Sequence, residues 1–356
     1  MIQEIDKRLK ALGLSKSPFL GYGPESPDFS KVFVDRTKEL YKINFALEYF
    51  KTNINRNLAV VGLSRIGKTT LLQYTITDIR GRFPCKYIEY PLRFNEFCMN
   101  CLEFFGQSPG SSVPDNARDL GDLFIRTSRT GAGNAIIVID NFEEMLSIPD
   151  EEVEGFIRLF RRTGCLFIIA CTQKEWETLL VRHQKLKYAF ADEIDIRPFS
   201  VENCMEFFRT RIDLVREGNA TGILPFTDEA ARLIGIYSFF VPGRLCDLAN
   251  RILFEALTGD TEIINPEFVR SVLTASPVLG TWLSGLNENE TRTIEVMIEQ
   301  NRPVSFEDLA GLLSVSRVAA AGYIQKLSEK NIVVQLDSPG KKRLFTITEA
   351  FRSVLA

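Results

Sequence analysis

The run Gly62-Leu63-Ser64-Arg65-Ile66-Gly67-Lys68-Thr69-Thr70 fills the template G-x-x-x-x-G-K-[ST] directly behind the apolar run Leu58-Ala59-Val60-Val61. No other stretch limits the fold as strongly. Glycines in such a loop let backbone N–H groups curl round phosphates, Lys68 neutralises charge at the β and γ positions, and the Thr69 hydroxyl can hold Mg²⁺. Residues 69–79 contain neither Pro nor Gly and place Leu71, Leu72, Thr75, Ile76 and Ile79 at helical spacing. A helix N-terminus therefore points at the phosphates. Strand, glycine loop and helix in that order predict a nucleotide-triphosphate site at Gly62, Ser64, Arg65, Ile66, Gly67, Lys68, Thr69 and Thr70.

The neighbouring sequence supplies the rest of a sheet. Residues 85–91 read as a strand, 94–105 as a helix, 106–116 as a Gly/Ser/Pro loop and 120–126 as a further helix. Ala135-Ile136-Ile137-Val138-Ile139 is an unbroken apolar run ending in Asp140, and after a helix at 151–162 a second such run spans 165–172. Unbroken apolar strands are buried on both faces, which requires a largely parallel sheet with helices on either side. A last strand at 193–199 completes an α/β, P-loop, parallel-sheet core over residues 31–199, entered by a helical pattern that opens with residues 32–40 and runs through Ile43, Leu47 and Phe50.

Residues 1–30 combine a short amphipathic segment with a Pro/Gly/Ser-rich loop and read as a connecting arm. From about residue 200 helical patterns take over, at 201–215, 227–239 and 243–257, giving a helical domain over 200–280. Residues 281–356 change again: helices at 288–300, 306–313 and 317–330, then two short strands at 332–336 and 343–347 joined by Asp337-Ser338-Pro339-Gly340. Three helices followed by a β-hairpin are the order of a winged helix.

Hydrolysis of a bound triphosphate needs further groups. Asp140, ending its apolar strand, stands where a second Mg²⁺-binding acid belongs. The next position often carries a carboxylate that orients the attacking water; here it is Asn141, which cannot act as a base. Glu143 and Glu144 follow within one turn and are candidates for that role, the alternative being two solvated acids. Slow or partner-gated hydrolysis is expected. Thr172 and Gln173 end the strand after that of Asp140, so one of them can report on the γ-phosphate from the same sheet edge. Arg244, opening a helix in the helical domain, is a candidate to reach back to the phosphates.

A formal net charge of −3 excludes a chain coated with basic charge, so any nucleic-acid role is regional. Residues 316–348 hold Arg317, Lys326, Lys330, Lys341, Lys342 and Arg343 against Glu329 and Asp337, a local excess able to track a phosphate backbone. Ala319, Ala320, Ala321 and Gly322 make the third helix bland toward base edges, so any DNA contact is expected to be weakly sequence-selective. Seven cysteines without a secretory pattern read as reduced core residues, Cys98-Met99-Asn100-Cys101 included. With acids at residues 4 and 6 and no apolar run of membrane-spanning length, the chain is expected in the cytoplasm and off the membrane.

The order Val34-Asp35-Arg36-Thr37-Lys38-Glu39-Leu40, GLSRIGKTT, IIVIDNFEE, IIACTQ, IDIRPFS and a helical segment bearing PGRL resembles the AAA+ superfamily. Within it the chain is similar to the archaeal-type ATPases of the STAND group and to the origin-recognition replication initiators, which end in a winged helix. The resemblance spans roughly residues 30–356. It implies ATP/ADP with Mg²⁺ and an adenine pocket near Val34, Asp35 and Arg36. It also implies sensor residues at Thr172 or Gln173 and, with Pro242 beside it, at Arg244. Pro242-Gly243-Arg244 inverts the common Gly-x-Pro-Arg order, and Asn141 replaces the initiators' usual Glu. A ring-forming member would present an arginine to a neighbouring copy; Arg182 is the nearest candidate, with Arg161 and Arg162 as others.

Two functions fit this reading. One is an ATP-dependent switch that assembles or engages DNA in its closed form; the other is a nucleotide-loaded signalling or defence scaffold whose winged helix packs only against protein. A small-molecule kinase shares the phosphate loop and leaves the helical and winged-helix segments unexplained.

Overall fold

A computed structural model describes residues 2–90, 93–107, 116–130, 135–190, 192–218, 222–336 and 343–354. The chain divides into two compact units: a core unit of Pro24–Ser30 and Asp35–Arg197, and a helical unit of Met1–Gly23, Lys31–Val34 and Pro198–Ala356.

The core unit is built on five parallel strands, β1 (Leu58–Gly62), β2 (Cys85–Ile88), β3 (Ile136–Ile139), β4 (Leu166–Thr172) and β5 (Asp192–Ile196), in the order β2-β3-β4-β1-β5. The apolar runs occupy the middle, as double-sided burial demands: every residue of β3 is 0% exposed. At the edge, β5 alternates instead, burying Ile194 and Ile196 while Asp192 takes a two-pronged hydrogen bond from Arg56 at 2.7 and 2.9 Å. Charge on an edge strand discourages pairing with another chain.

Helices Phe94–Phe104, Ala117–Arg129, Asp150–Arg162 and Gln173–Arg182 bury one aromatic core containing Phe97, Phe124, Phe142, Phe156, Phe160, Trp176 and Phe190. Cys98 and Cys101 lie in it, both 0% exposed. Burial pushes the Cys98 thiol up to about 12 and the Cys101 thiol well above its usual value, so both behave as apolar core atoms. Among the described residues no group of three or more His, Cys, Asp or Glu is placed to hold a metal ion.

The last strand, expected over 193–199, ends at Ile196. Gln173, read as a strand end, opens the helix Gln173–Arg182. The apolar spacing of Trp176, Leu179 and Leu180 drives that helix onto the aromatic core.

In the helical unit, Val201–Val215, Asp228–Tyr237, Pro242–Thr258, Pro266–Ala275 and Pro277–Leu283 are followed by Glu288–Gln300, Phe306–Leu313 and Arg317–Glu329. An antiparallel pair, β6 (Val333–Leu336) and β7 (Leu344–Ile347), comes next. Val304 joins Phe345 of β7 through two backbone hydrogen bonds of 2.9 and 2.8 Å. Reciprocal caps fix two helix starts, Asn287 with Glu290 and Ser305 with Asp308. The turn Asp337-Ser338-Pro339-Gly340 and Lys341 and Lys342 lie outside the described residues.

Two sets of contacts make this unit compact. Leu9, Leu14 and Phe19 are buried in it, Phe19 meeting Phe208 and Phe226 edge-on at 5.3 and 5.6 Å, and Arg211 donates to the Pro18 and Leu20 carbonyls. Farther along, Glu295 accepts from Arg270 at 3.2 Å and from the Tyr237 hydroxyl at 3.5 Å, while Arg232 pairs with Glu299. These pairs tie residues 228–275 to the helix Glu288–Gln300. No helix among the described residues is long and apolar enough to cross a membrane.

Candidate functional site

The strand order sets the geometry. β4 lies between β1 and β3, and its last residue, Thr172, is in register with Gly62 at the start of the glycine loop. The carboxyl ends of β1, β4 and β3 therefore carry the loop, Thr172 and Asp140 side by side along one sheet edge.

The loop leaves β1 where only glycine fits, since a β-carbon on Gly62 would stand 2.8 Å from the Ile196 carbonyl oxygen. It then turns through Arg65 at φ +63° and Gly67 at φ +99°. Gly67 caps the helix Lys68–Ile79 without any side-chain hydrogen bond. With glycine at the cap, no cap side chain competes for the first-turn N–H groups, an arrangement suited to phosphate oxygens. Ile66 is fully buried and anchors the loop, while Ser64, Arg65, Thr69 and Thr70 are exposed along it.

Lys68 is buried, its Nζ donating to the Gly62 and Leu63 carbonyls at 3.3 and 3.0 Å. Burial lowers its pKa, opposed by the nearby charges of Glu143, Asp140 and Glu175. The Asp140 side chain is 1% exposed and accepts from the Tyr87 hydroxyl on Oδ2 and the Asn141 N–H on Oδ1, both at 2.9 Å. Its carboxylate and the exposed Thr69 hydroxyl are hard oxygen donors of the kind a divalent cation beside a nucleotide takes.

Beyond Asp140 the chain makes a sharp choice of direction. Asn141 adopts left-handed backbone, φ 47° and ψ 44°, and its Nδ2 donates to the Glu89 carbonyl at 3.3 Å, just past the end of β2. The 3-10 turn Phe142–Ser147 follows, and Glu143 Oε2 accepts from the Thr172 N–H at 3.3 Å. The Thr172 hydroxyl donates to the Glu175 carboxylate. Gln173 is exposed and donates to Glu177 at 3.1 Å, along its own helix.

Arg36 clamps the loop from the other side. Its guanidinium donates to the Ile66 carbonyl at 3.1 Å and the Arg197 carbonyl at 2.9 Å, joining the glycine loop to the chain beyond β5. Asp35 and Arg36 both have left-handed backbone, φ 60° and 81°. Two such residues in succession store strain of about 1–3 kcal/mol each, which the buried guanidinium contacts hold in place. Val34, Pro242 and Arg244 belong to the helical unit. There Val34 is buried, Pro242 opens its helix, and Arg244 donates to the Arg352 carbonyl at 3.5 Å. Arg182 is exposed and pairs with Asp150 at 2.5 Å; Arg161 and Arg162 are exposed at a helix end.

Two groups of this site escape sequence reading. Glu175 had a visible signal, the T-x-x-E spacing from Thr172 at a helix start. Tyr87 had none, because its partner Asp140 is set by the pairing of β2 with β3. Removing the Tyr87 hydroxyl leaves a buried carboxylate one donor short. Tyr87→Phe is therefore expected to lower stability by about 2 kcal/mol without nucleotide, read by urea denaturation, and to leave nucleotide affinity within about threefold. An affinity loss beyond tenfold with stability unchanged would place Tyr87 on the ligand instead.

Residues 54–180 match the family model described as an AAA domain. By sequence, no curated protein matches the chain. Among solved structures the chain is similar to Cdc6p of Pyrobaculum aerophilum, with TM-score 0.57 and 14% identity over 93% of this chain and 97% of that one. It is also similar to the Orc2 protein of Aeropyrum pernix, solved with ADPNP and ADP, with TM-score 0.55 and 12% identity over 93% and 97%. The Orc1 protein of the same organism, solved in complex with DNA, gives TM-score 0.53 and 14% identity over 93% and 94%. At these identities the likeness is one of fold.

Proposed function

We propose that the protein is an ATP-dependent molecular switch, a reading supported by the match of residues 54–180 to an AAA domain. It binds ATP with Mg²⁺, hydrolyses it slowly to ADP, and couples the nucleotide state to DNA binding or self-assembly through residues 281–356 acting as a winged helix. The observation that carries the reading is the sheet edge where Lys68, Asp140, Glu143 and Thr172 gather with no acid directly after Asp140. Thr69 and Asp140 would hold the metal; Gly62 to Thr70 would hold the phosphates. Bound Mg²⁺ would supply charge neutralisation at the β- and γ-phosphates. Three helices and a hairpin, and the fold shared with an Orc1 protein solved on DNA, support the DNA arm of the reading.

One observation favours the second reading, a signalling or defence scaffold that docks protein. Of the basic residues in 316–348, Arg317 is paired with Glu307 at 2.8 Å, Lys326 with Glu290 at 2.9 Å, and Lys330 donates to the Ser284 carbonyl. Paired cations contribute less to phosphate binding.

Titration of the whole chain onto duplex DNA separates the two. The switch reading expects affinity to fall at least about tenfold between roughly 50 and 200 mM salt and to differ between ATP and ADP. A flat response at both salts and with both nucleotides would favour the scaffold.

A further inference from the structure

We propose that Glu143 is the base that activates the attacking water in this chain, the role that Asn141 cannot fill. This inference rests on the ATPase reading above and names the residue that performs its chemical step. Direction across the sheet separates the two side chains. In the order β2-β3-β4-β1, the two neighbours of β3 lie on opposite sides. The Asn141 side chain turns toward the β2 side, where its amide is held by the Glu89 carbonyl. The Glu143 side chain turns the other way, onto the Thr172 N–H at the end of β4. Thr172 is in register with Gly62, the first residue of the phosphate loop. Glu143 therefore has its carboxylate at the sheet edge that receives the phosphates, and Asn141 has its side chain on the far side of Asp140.

The backbone explains how a carboxylate two residues late reaches that place. Left-handed Asn141 reverses the chain after β3, and the 3-10 turn that follows brings position 143 toward β4. Phe142, between them and fully buried, faces Phe160, Trp176 and Phe190 at ring distances of 6.0, 6.3 and 6.1 Å and holds the turn in the core. The effect of the Glu143 charge on Lys68 agrees with this placement.

The step balances simply. Water oxygen forms a bond to the γ-phosphorus as the bond from γ-phosphorus to the bridging oxygen breaks; the water proton passes to a Glu143 carboxylate oxygen, and ADP leaves with the bridging oxygen while inorganic phosphate forms. The hydrogen bond from the Thr172 N–H occupies Oε2 of Glu143 at 3.3 Å and leaves Oε1 to take the proton. Glu175, held by the Thr172 hydroxyl at the same edge, is the rival base, and the experiment is built to separate the two.

The whole chain and its Glu143→Gln and Glu175→Gln variants would be compared in three measurements: binding of a fluorescent ATP analogue, single-turnover phosphate release with Mg²⁺, and binding of ADP with aluminium fluoride. Gln retains an acceptor for the Thr172 N–H, so the fold is kept. Glu143→Gln is expected to hold ATP within about threefold, to slow phosphate release by about 100-fold, and to weaken ADP–aluminium fluoride in parallel. Glu175→Gln is expected to stay within about fivefold on all three. Phosphate release by Glu143→Gln at the parent rate overturns the proposal, as does a larger loss in Glu175→Gln. A Glu143→Gln chain that releases phosphate at the parent rate overturns this inference alone, whereas a parent chain that binds no ATP, or binds it without hydrolysing it, overturns the function it rests on.

Discussion

A Lys68→Ala chain is expected to lose nearly all of the thermal stabilisation that ATP gives the parent. Lys68 is the one charged side chain that the loop itself aims inward, with Nζ on the Gly62 and Leu63 carbonyls. A phosphate group would draw it into charge-assisted hydrogen bonds of about 1.5–3 kcal/mol each, so two such bonds are worth at least about 100-fold in affinity. At ATP equal to about 100 times the parent dissociation constant, the parent gains about 2.7 kcal/mol and the variant about 0.4. For a unit of this size that is a melting shift of about 5–10 °C against about 1 °C. The fold survives the change, because Lys68 holds only two loop carbonyls and no core contact depends on it. Differential scanning fluorimetry with and without ATP reads both quantities. A variant that keeps the parental shift would mean that the nucleotide binds elsewhere, and with it the placement of every other site residue would fall.

The parts of this site that sequence revealed are those fixed by local chemistry. The glycine loop is legible because any side chain would crowd Ile196 at Gly62 and would be strained at φ +99° at Gly67. The strands β3 and β4 are legible because double-sided burial leaves an unbroken apolar run. What was hidden depends on the sheet order. Alternation of strands and helices does not say that β4 separates β1 from β3, and that order alone brings Thr172 beside Gly62 and sends Asn141 and Glu143 to opposite sides. Tyr87 was hidden for the same reason, its meaning lying in a neighbour 53 residues away. Arg36 shows a third case: its sequence context fitted a nucleotide pocket, while the side chain itself is spent on the Ile66 and Arg197 carbonyls. Residues 1–30 read as an arm because a Pro/Gly/Ser-rich loop follows their short amphipathic segment, yet Leu9, Leu14 and Phe19 are each buried.

Phe142→Ala is expected to be among the most damaging single substitutions in the core unit, by about 3–5 kcal/mol. Phe142 is 0% exposed and faces three aromatic rings, so truncation leaves a cavity that rigid rings close poorly. The chain has two tryptophans, Trp176 beside Phe142 and Trp282 in the helical unit. In a Trp282→Phe background, Trp176 fluorescence during urea unfolding therefore reports on the core unit alone. A cost below about 1 kcal/mol would show that the aromatic cluster does not hold this turn. Phe142→Leu supplies the functional half of the test. It keeps most of the volume and should cost less than about 1.5 kcal/mol, so the variant folds and binds ATP. Its smaller contact with Trp176 and Phe190 loosens the turn that sends Asn141 one way and Glu143 the other. Phosphate release should then slow by about tenfold at unchanged ATP affinity, because the Glu143 carboxylate would be placed less often at the sheet edge. Parental turnover in Phe142→Leu would instead mean that the hydrogen bond from the Thr172 N–H suffices to place it, and that the packing of Phe142 serves stability only.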